Sequence, residues 1–183
     1  MRNRLKALLC ASLITGCSAG TERLHGMAQA IDLDRFMGSW YVLAFIPIDI
    51  PLLPMFSEAD AHNGVESYML QSDGTIKTTY TFRRGGFDGT MQRLTPTATV
   101  ANAPVNSEWR MKFAWYLPAG DFLILHVDED YTTTLIGVPD RRYLWIMART
   151  PDLPAARFES LLTLAKHMGY DVSRVRRVPQ RWP

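Results

Sequence analysis

The sequence predicts an all-β protein, an eight-stranded antiparallel up-and-down β-barrel with a C-terminal α-helix packed outside it. Three observations carry this. From Trp40 onward the apolar residues recur mostly with a period of two. Clusters of Gly, Pro, Asn, Asp and Ser interrupt them at short intervals. After Thr150 the period becomes that of a helix. Eight strands in hairpin order close into a barrel just wide enough for one small ligand.

The chain begins with a segment that stands apart from the fold. In "MRNRLKALLCASLITGC", Arg2, Arg4 and Lys6 precede an apolar run from Ala7 to Ile14, followed by the small residues Thr15 and Gly16. That order is the order of a secretory signal, and the run is shorter than the roughly 20 residues a spanning helix needs. Its ending, "ITGC", resembles the lipobox of bacterial lipoproteins, in which the cysteine is lipidated and becomes the new N-terminus. Cys17 is the residue so placed. Such a cysteine carries three acyl chains, and stable anchoring takes more than one. Ser18 in the next position implies, by the sorting rule of that class, outer-membrane targeting with the protein facing the periplasm. The expected organisation is a signal peptide over 1–16, a lipidated tether over 17–30 and one domain over 31–183. The two cysteines, Cys10 and Cys17, both fall before the domain, so its core must stand without a disulfide.

The first strand is predicted over Ser39 to Ile46 of "MGSWYVLAFIPIDIPLLPMF". Pro47, Pro51 and Pro54 forbid one continuous helix there and end the strand. Its faces are Trp40, Val42, Ala44 and Ile46 against Tyr41, Leu43 and Phe45. The loop that follows, Ile48 to Phe56, is too apolar for an ordinary solvated connection. Ile50, Leu52, Leu53 and Phe56 are therefore predicted to form a lid.

"VESYMLQ", "TIKTTYTFRR", "TMQRLTPTATV", "SEWRMKFAWYLP", "DFLILHVD", "TTTLIGV" and "RYLWIMAR" supply the remaining strands, rich in Thr, Val, Ile and aromatics. "SDG", "RRGGFDG", "NAPVN", "LPAGD", "DEDY" and "VPDRR" supply the turns between them. In "SEWRMKFAWYLP" the residues Trp109, Met111, Phe113 and Trp115 share one face, with Arg110 and Lys112 on the other. An outer-membrane barrel would need a polar interior and an apolar outer band, so this pattern excludes one. The helix follows Pro154. Phe158, Leu161, Leu162, Ala165 and Met168 form its apolar stripe, and Gly169 is placed to stop it.

These residues resemble the lipocalin family. "MGSWYVLA" carries its Gly-x-Trp signature as Gly38 and Trp40, preceded by an entry turn in "DLDRFMG". "YLWIMARTP" resembles the last barrel strand of bacterial lipocalins, ending in the family's Arg at Arg149. The resemblance covers roughly Ile31 to Val178. It implies that Trp40 closes the narrow end of the barrel with the Arg149 guanidinium over its face, so Gly38, Trp40 and Arg149 are structural. It also implies that the loop after the first strand lies at the open end, and that the protein is an outer-membrane lipoprotein.

The expected ligand site is the barrel interior, lined by Val42, Ala44, Tyr80, Phe82, Trp109, Met111, Phe113, Trp115 and Ile124. An apolar, aromatic cavity suits a fatty acid, a lysophospholipid or a similar hydrophobic small molecule, carried or stored in the cell envelope. Two other readings stand beside it: an envelope protein of structural or stress-related role with an incidental pocket, and a lipid-modifying enzyme. The enzyme reading rests on "HNGVESY", which would place His62, Asn63 and Glu66 near the mouth. His25, His62, His126 and His167 show no metal-ligand spacing, and no phosphate-cradling loop or serine elbow is present. No enzyme activity, cofactor or metal is therefore expected. A net charge of +2 gives no field for nucleic acid.

Overall fold

The computed structural model describes residues 22–48 and 57–183. Cys17 and the lid residues Ile50, Leu52, Leu53 and Phe56 lie outside the described residues. A one-turn helix α1 (Leu33–Phe36), capped by the Asp32 carboxylate on the Arg35 N–H, leads into strand β1 (Gly38–Ile46). Then come β2 (Ala61–Leu70), β3 (Ile76–Arg84), β4 (Met91–Leu94), β5 (Thr97–Val100), β6 (Glu108–Lys112), β7 (Gly120–Val127), β8 (Thr133–Gly137) and β9 (Leu144–Ala148). Helix α2 (Ala155–His167), a 3-10 turn at Val172–Arg174 and a two-residue β10 (Arg176–Arg177) finish the chain.

The strands pair antiparallel in the order β1-β2-β3-β5-β6-β7-β8-β9, β4 and β10 add to β3 and β1, and β9 pairs with β1, which closes the barrel. The predicted strand "TMQRLTPTATV" is split at Thr95-Pro96. Proline has no N–H to give the ladder, and its carbonyl accepts from Thr78 instead. β4 and β5 both pair with β3, so together they fill one place in an eight-stranded barrel.

The interior and the helix side have separate cores. Inside are Trp40, Val42, Phe45, Tyr68, Tyr80, Phe82, Trp109, Met111, Phe122, Ile124 and Met147. Beneath α2 are Ala44, Ile46, Leu123, Leu125, Leu135, Leu144 and Ile146, packed on Phe158, Leu161 and Ala165. A bulge between Val42 and Ala44 explains the division of β1. It shifts the alternation by one, so Phe45 turns inward while Ala44 and Ile46 turn toward the helix. The predicted face Trp40-Val42-Ala44-Ile46 is therefore corrected. Every residue from Val42 to Ile46 is apolar, so nothing in the local pattern marks the slip.

The described part of the predicted tether is not free. Leu24 N–H donates to Pro139 O at 3.1 Å, and Met27 N–H donates to Ile124 O at 2.8 Å. Gly26 runs so close to Ser107 that a Cβ would sit 2.5 Å from its carbonyl oxygen. The segment thus runs along the barrel from the turn between β8 and β9 toward the other end, where Ile31 N–H donates to Val105 O at 2.8 Å. The C-terminal tail straps the opposite edge. Val178 N–H donates to Leu43 O at 2.9 Å, and Asn63 donates to Pro179 O and exchanges hydrogen bonds with Arg181, beyond the point where β2 stops pairing with β1.

The end of the barrel where β1 begins is closed by Trp40, fully buried, whose indole N–H donates to Phe36 O at 2.9 Å. Arg149 lies over that ring, 3.7 Å from guanidinium carbon to ring centroid. It donates to Arg35 O, Met37 O and Ser39 O at 2.8 Å, to Phe36 O at 3.1 Å and to Tyr131 O at 3.3 Å. Gly38 stands at φ +92, where a Cβ would lie 3.3 Å from this guanidinium. Arg149→Ala removes the cation over indole and takes this donor from the part-buried carbonyls of Met37 and Tyr131. It is expected to cost about 2–4 kcal/mol in denaturant unfolding, with ligand affinity in the surviving folded protein changing less than twofold.

Candidate functional site

The floor of the interior is an aromatic plug. Phe36 packs on Trp40 (ring centroids 5.2 Å apart), on Tyr68 (5.5 Å) and on Trp109 (5.6 Å), while Trp109 stacks on Phe122 at 5.0 Å. Trp109 is held there by its indole N–H, which donates to Asn106 O at 2.8 Å. It is an interior residue, as expected, but belongs to the plug. Toward the other end, Val42, Phe45, Tyr80, Phe82, Met111 and Met147 give the wall its apolar character, with Tyr80 stacked on Phe82 at 5.1 Å. Ile124 also faces inward.

Three expected lining residues stand elsewhere. Ala44 lies in the helix-side core for the reason given above. β6 ends at Lys112, so Phe113 follows the strand and is 37% exposed, and Trp115 sits in the turn before β7, 87% exposed. The alternation "WRMKFAW" continues past the point where pairing partners run out: Thr97 is the last residue of β5 opposite Lys112. The chain turns there instead, and Leu117 N–H closes the turn on Ala114 O at 3.2 Å.

The interior also holds polar groups that the apolar pattern conceals. Glu66 lies opposite Trp40 on β1 and Tyr80 on β3, both interior residues, so its side chain shares their face. Glu58, in the connection before β2, is 3% exposed. Its Oε1 accepts from Ile48 N–H and from the Trp145 indole N–H, each at 3.0 Å, tying both ends of the predicted lid loop to β9. Burial raises the Glu58 carboxyl to about 7, although its hydrogen bonds pull the other way. Burial raises Glu66 to about 8, and repulsion from Glu58 adds to it. The hydroxyls of Tyr68, Thr78 and Tyr80 are buried and make no well-formed hydrogen bond. Tyr68 lies near Glu66 and Tyr80 near Glu58, so each phenol offsets a part of what burial does to its acid. Burial and the nearby carboxyls push both phenols well above their ordinary range. Gly64 leaves room for one of them, since a Cβ there would meet Tyr80 Oη at 3.2 Å.

The grouping of His62, Asn63 and Glu66 at one mouth does not form. His62 takes Asp60 O at 3.0 Å and packs edge-on to Phe87, Asn63 holds the C-terminal tail, and Glu66 faces inward. The bulge between His62 and Val65 separates them. The inward phase of Glu66 is visible in the sequence through Tyr68, two residues on. Glu58 carries no such signal, because it lies outside any strand. Among the described residues, no three His, Cys, Asp or Glu side chains stand together as a metal site.

Comparison with known proteins agrees with this architecture. The family model of the lipocalin-like domain matches residues 31–180. Temperature-induced lipocalin-1 of Arabidopsis thaliana is 30% identical over 169 residues, covering 84% of this chain and 82% of that protein. The outer membrane lipoprotein Blc of Escherichia coli K12 is 28% identical over 174 residues, covering 92% of this chain and 90% of that protein. Among solved structures, lobster apocrustacyanin A1 superposes with a TM-score of 0.61 at 12% identity, over 90% of this chain and 94% of that one.

The two interior acids bind protons more tightly in the folded chain than in the unfolded one, where carboxyls titrate near 4.5. Their contribution to stability is full below that value and is lost as pH rises through about 7 and 8. His126, which burial lowers below 6.5, acts in the opposite direction. Hydrogen bonds from Thr132 and Thr133 overcome burial to hold Asp128 well below the carboxylate range, so it is ionised throughout this window. The melting temperature of Glu66→Gln should therefore fall less between about pH 5.5 and pH 8.5 than that of the unsubstituted protein. In unfolding free energy the difference should amount to up to about 3 kcal/mol, and parallel pH profiles would contradict the assignment.

Proposed function

The chain belongs to the lipocalin-like family, and from that premise we propose that it is a membrane-anchored carrier that holds one hydrophobic small molecule inside the barrel. The observation that carries this is the asymmetry of the interior. One end is sealed by the plug around Trp40 and Arg149, and above it the wall is apolar through Val42, Phe45, Phe82, Met111 and Met147. Such a wall favours a ligand with a methylene body, at roughly 0.8 kcal/mol per buried CH2 before ordering costs. A fatty acid, a lysophospholipid or a similar amphiphile fits that description.

The anchor in this proposal is Cys17, with the protein on the periplasmic face of the outer membrane. The relative named outer membrane lipoprotein Blc favours the same placement. The course of the N-terminal segment supports a geometry for it. Leu24 is bound at the turn between β8 and β9, on the open end of the barrel. Six residues lie between it and Cys17, a span of at most about 25 Å when extended. The mouth would then lie beside the membrane. The exposed aromatics Trp115 (87%) and Tyr116 (65%) occupy that same end. Ile50, Leu52, Leu53 and Phe56 would close the mouth as a lid, its two ends pinned by Glu58.

Native mass spectrometry of the full chain, purified from a bacterial envelope, tests the proposal. The expected result is co-purified acyl lipid at one per chain. Leu52→Ser with Leu53→Ser should weaken uptake by about tenfold, the worth of two leucine contacts. Protein that purifies empty and takes up no acyl lipid would favour instead an envelope protein whose interior is incidental. Labelled palmitate should enter the chain and fail to enter Cys17→Ala. Incorporation that survives that substitution would rule out the anchor.

A further inference from the structure

We propose that Glu58 and Glu66, with the phenol hydroxyls of Tyr68 and Tyr80, form the headgroup site of the barrel and that it selects an amphiphile bearing a positively charged amine or quaternary ammonium. This rests on the carrier reading above and specifies the class of ligand within it.

Two carboxyls face one interior, and the described cations nearest to them are committed elsewhere. Arg149 spends its donors on the carbonyls of α1, β1 and Tyr131 at the sealed end. Arg84 turns to Ser57 O at 3.1 Å and to the Asp60 carboxylate at 4.0 Å, on the rim. Tyr68 and Tyr80, 2% and 6% exposed, leave their hydroxyls without a well-formed hydrogen bond among these acids. Each phenol nevertheless stands close enough to its acid to act on it, Tyr68 on Glu66 and Tyr80 on Glu58, so the four groups form one polar cluster in an otherwise apolar wall.

Charge decides which ligand suits that cluster. As pH rises through about 7 and 8 the two carboxyls ionise and repel each other, and a carboxylate ligand would then bring a third negative charge into the site. A neutral alcohol would satisfy one hydroxyl and leave the repulsion unchanged. A cation removes the repulsion and allows both carboxyls to ionise around it, and an ammonium also supplies hydrogen-bond donors to oxygens that can accept them. The rings of Tyr80 and Phe82 and the Trp145 indole, which donates to Glu58, add π faces to the same wall. Glu66 lies deep in the barrel yet keeps part of its surface accessible. The titratable groups facing the site are Glu58 from the connection before β2, Glu66 and Tyr68 from β2 and Tyr80 from β3. Arg149, which follows β9, acts on Tyr68 from below.

The experiment uses three probes of equal chain length, octylammonium, octanol and octanoate. Each is titrated calorimetrically into the delipidated full chain in a non-ionic detergent, between about pH 6 and pH 8.5. Octylammonium stays protonated and octanoate ionised throughout that range. The expected result is that octylammonium binds at least about tenfold tighter than octanoate near pH 8 and tightens with rising pH. Glu66→Gln and Glu58→Gln should each reduce its affinity about tenfold while octanol binding is unchanged. Should a variant fail to fold, the pH profile of the unsubstituted protein distinguishes the same two outcomes. Octanoate or octanol binding as tightly as octylammonium overturns the headgroup assignment and leaves the carrier reading standing. No binding of any probe overturns both.

Discussion

Arg149 donates from one guanidinium to carbonyls of α1, of β1 and of the turn before β8 while lying flat on the Trp40 indole, and the rest of the barrel is built on that floor. Closure of an up-and-down sheet requires the first and last strands to meet, and Arg149 follows directly on β9, the last of them. The carbonyls it satisfies lie where the chain turns from α1 into β1, too irregular for the ladder to serve them. Leaving the buried carbonyls of that turn without donors would cost free energy that Arg149 removes. With them satisfied, Trp40 can be wholly buried and the aromatic plug can assemble above it. One end of the barrel is thereby sealed, and the other is left to the loops.

The two cores that result have different chemistry. The helix-side core is aliphatic, with Leu, Ile and Ala of four strands under Phe158, Leu161 and Ala165. The interior mixes aromatics and aliphatics with two acids and three hydroxyls that make no well-formed hydrogen bond. A core selected only for stability would not keep these groups, since replacing them with apolar residues of similar shape is commonly neutral or stabilising. The polar set is confined to the side of the sheet that faces the barrel interior. That confinement links the pH response of the fold to the proposed choice of ligand, because the same carboxyls govern both.

Both termini are used as clamps. The N-terminal segment lies along the outside of β7, with Gly26 pressed against Ser107, and the tail pairs with β1 beyond the point where β2 stops pairing with it. Residues 22–30 therefore belong to the body of the protein, and only a short stretch separates them from the proposed anchor. A long free tether would let the barrel turn in any direction. A short one, fixed at the open end, would favour a mouth held toward the bilayer.

The alternation of "TIKTTYTFRR", the turn residues that divide the strands and the helical spacing of Phe158, Leu161 and Ala165 are local properties, and the sequence by itself determined the barrel and its helix from them. Gly38, Trp40 and Arg149 were legible only through the resemblance to the lipocalin family, which implied their structural roles. Three things were decided only by tertiary structure. The bulge at Val42/Ala44 moved Ala44 out of the interior, in a run where every residue is apolar and either phase is acceptable. The end of β5 removed the partner from the residues after Lys112 and left Trp115 in a loop. The folding of the connection before β2 brought Glu58 under Trp145 and within electrostatic reach of Glu66. A strand's pattern states which residues share a face. Which face is inside, and what meets there, depends on distant segments that no local period encodes.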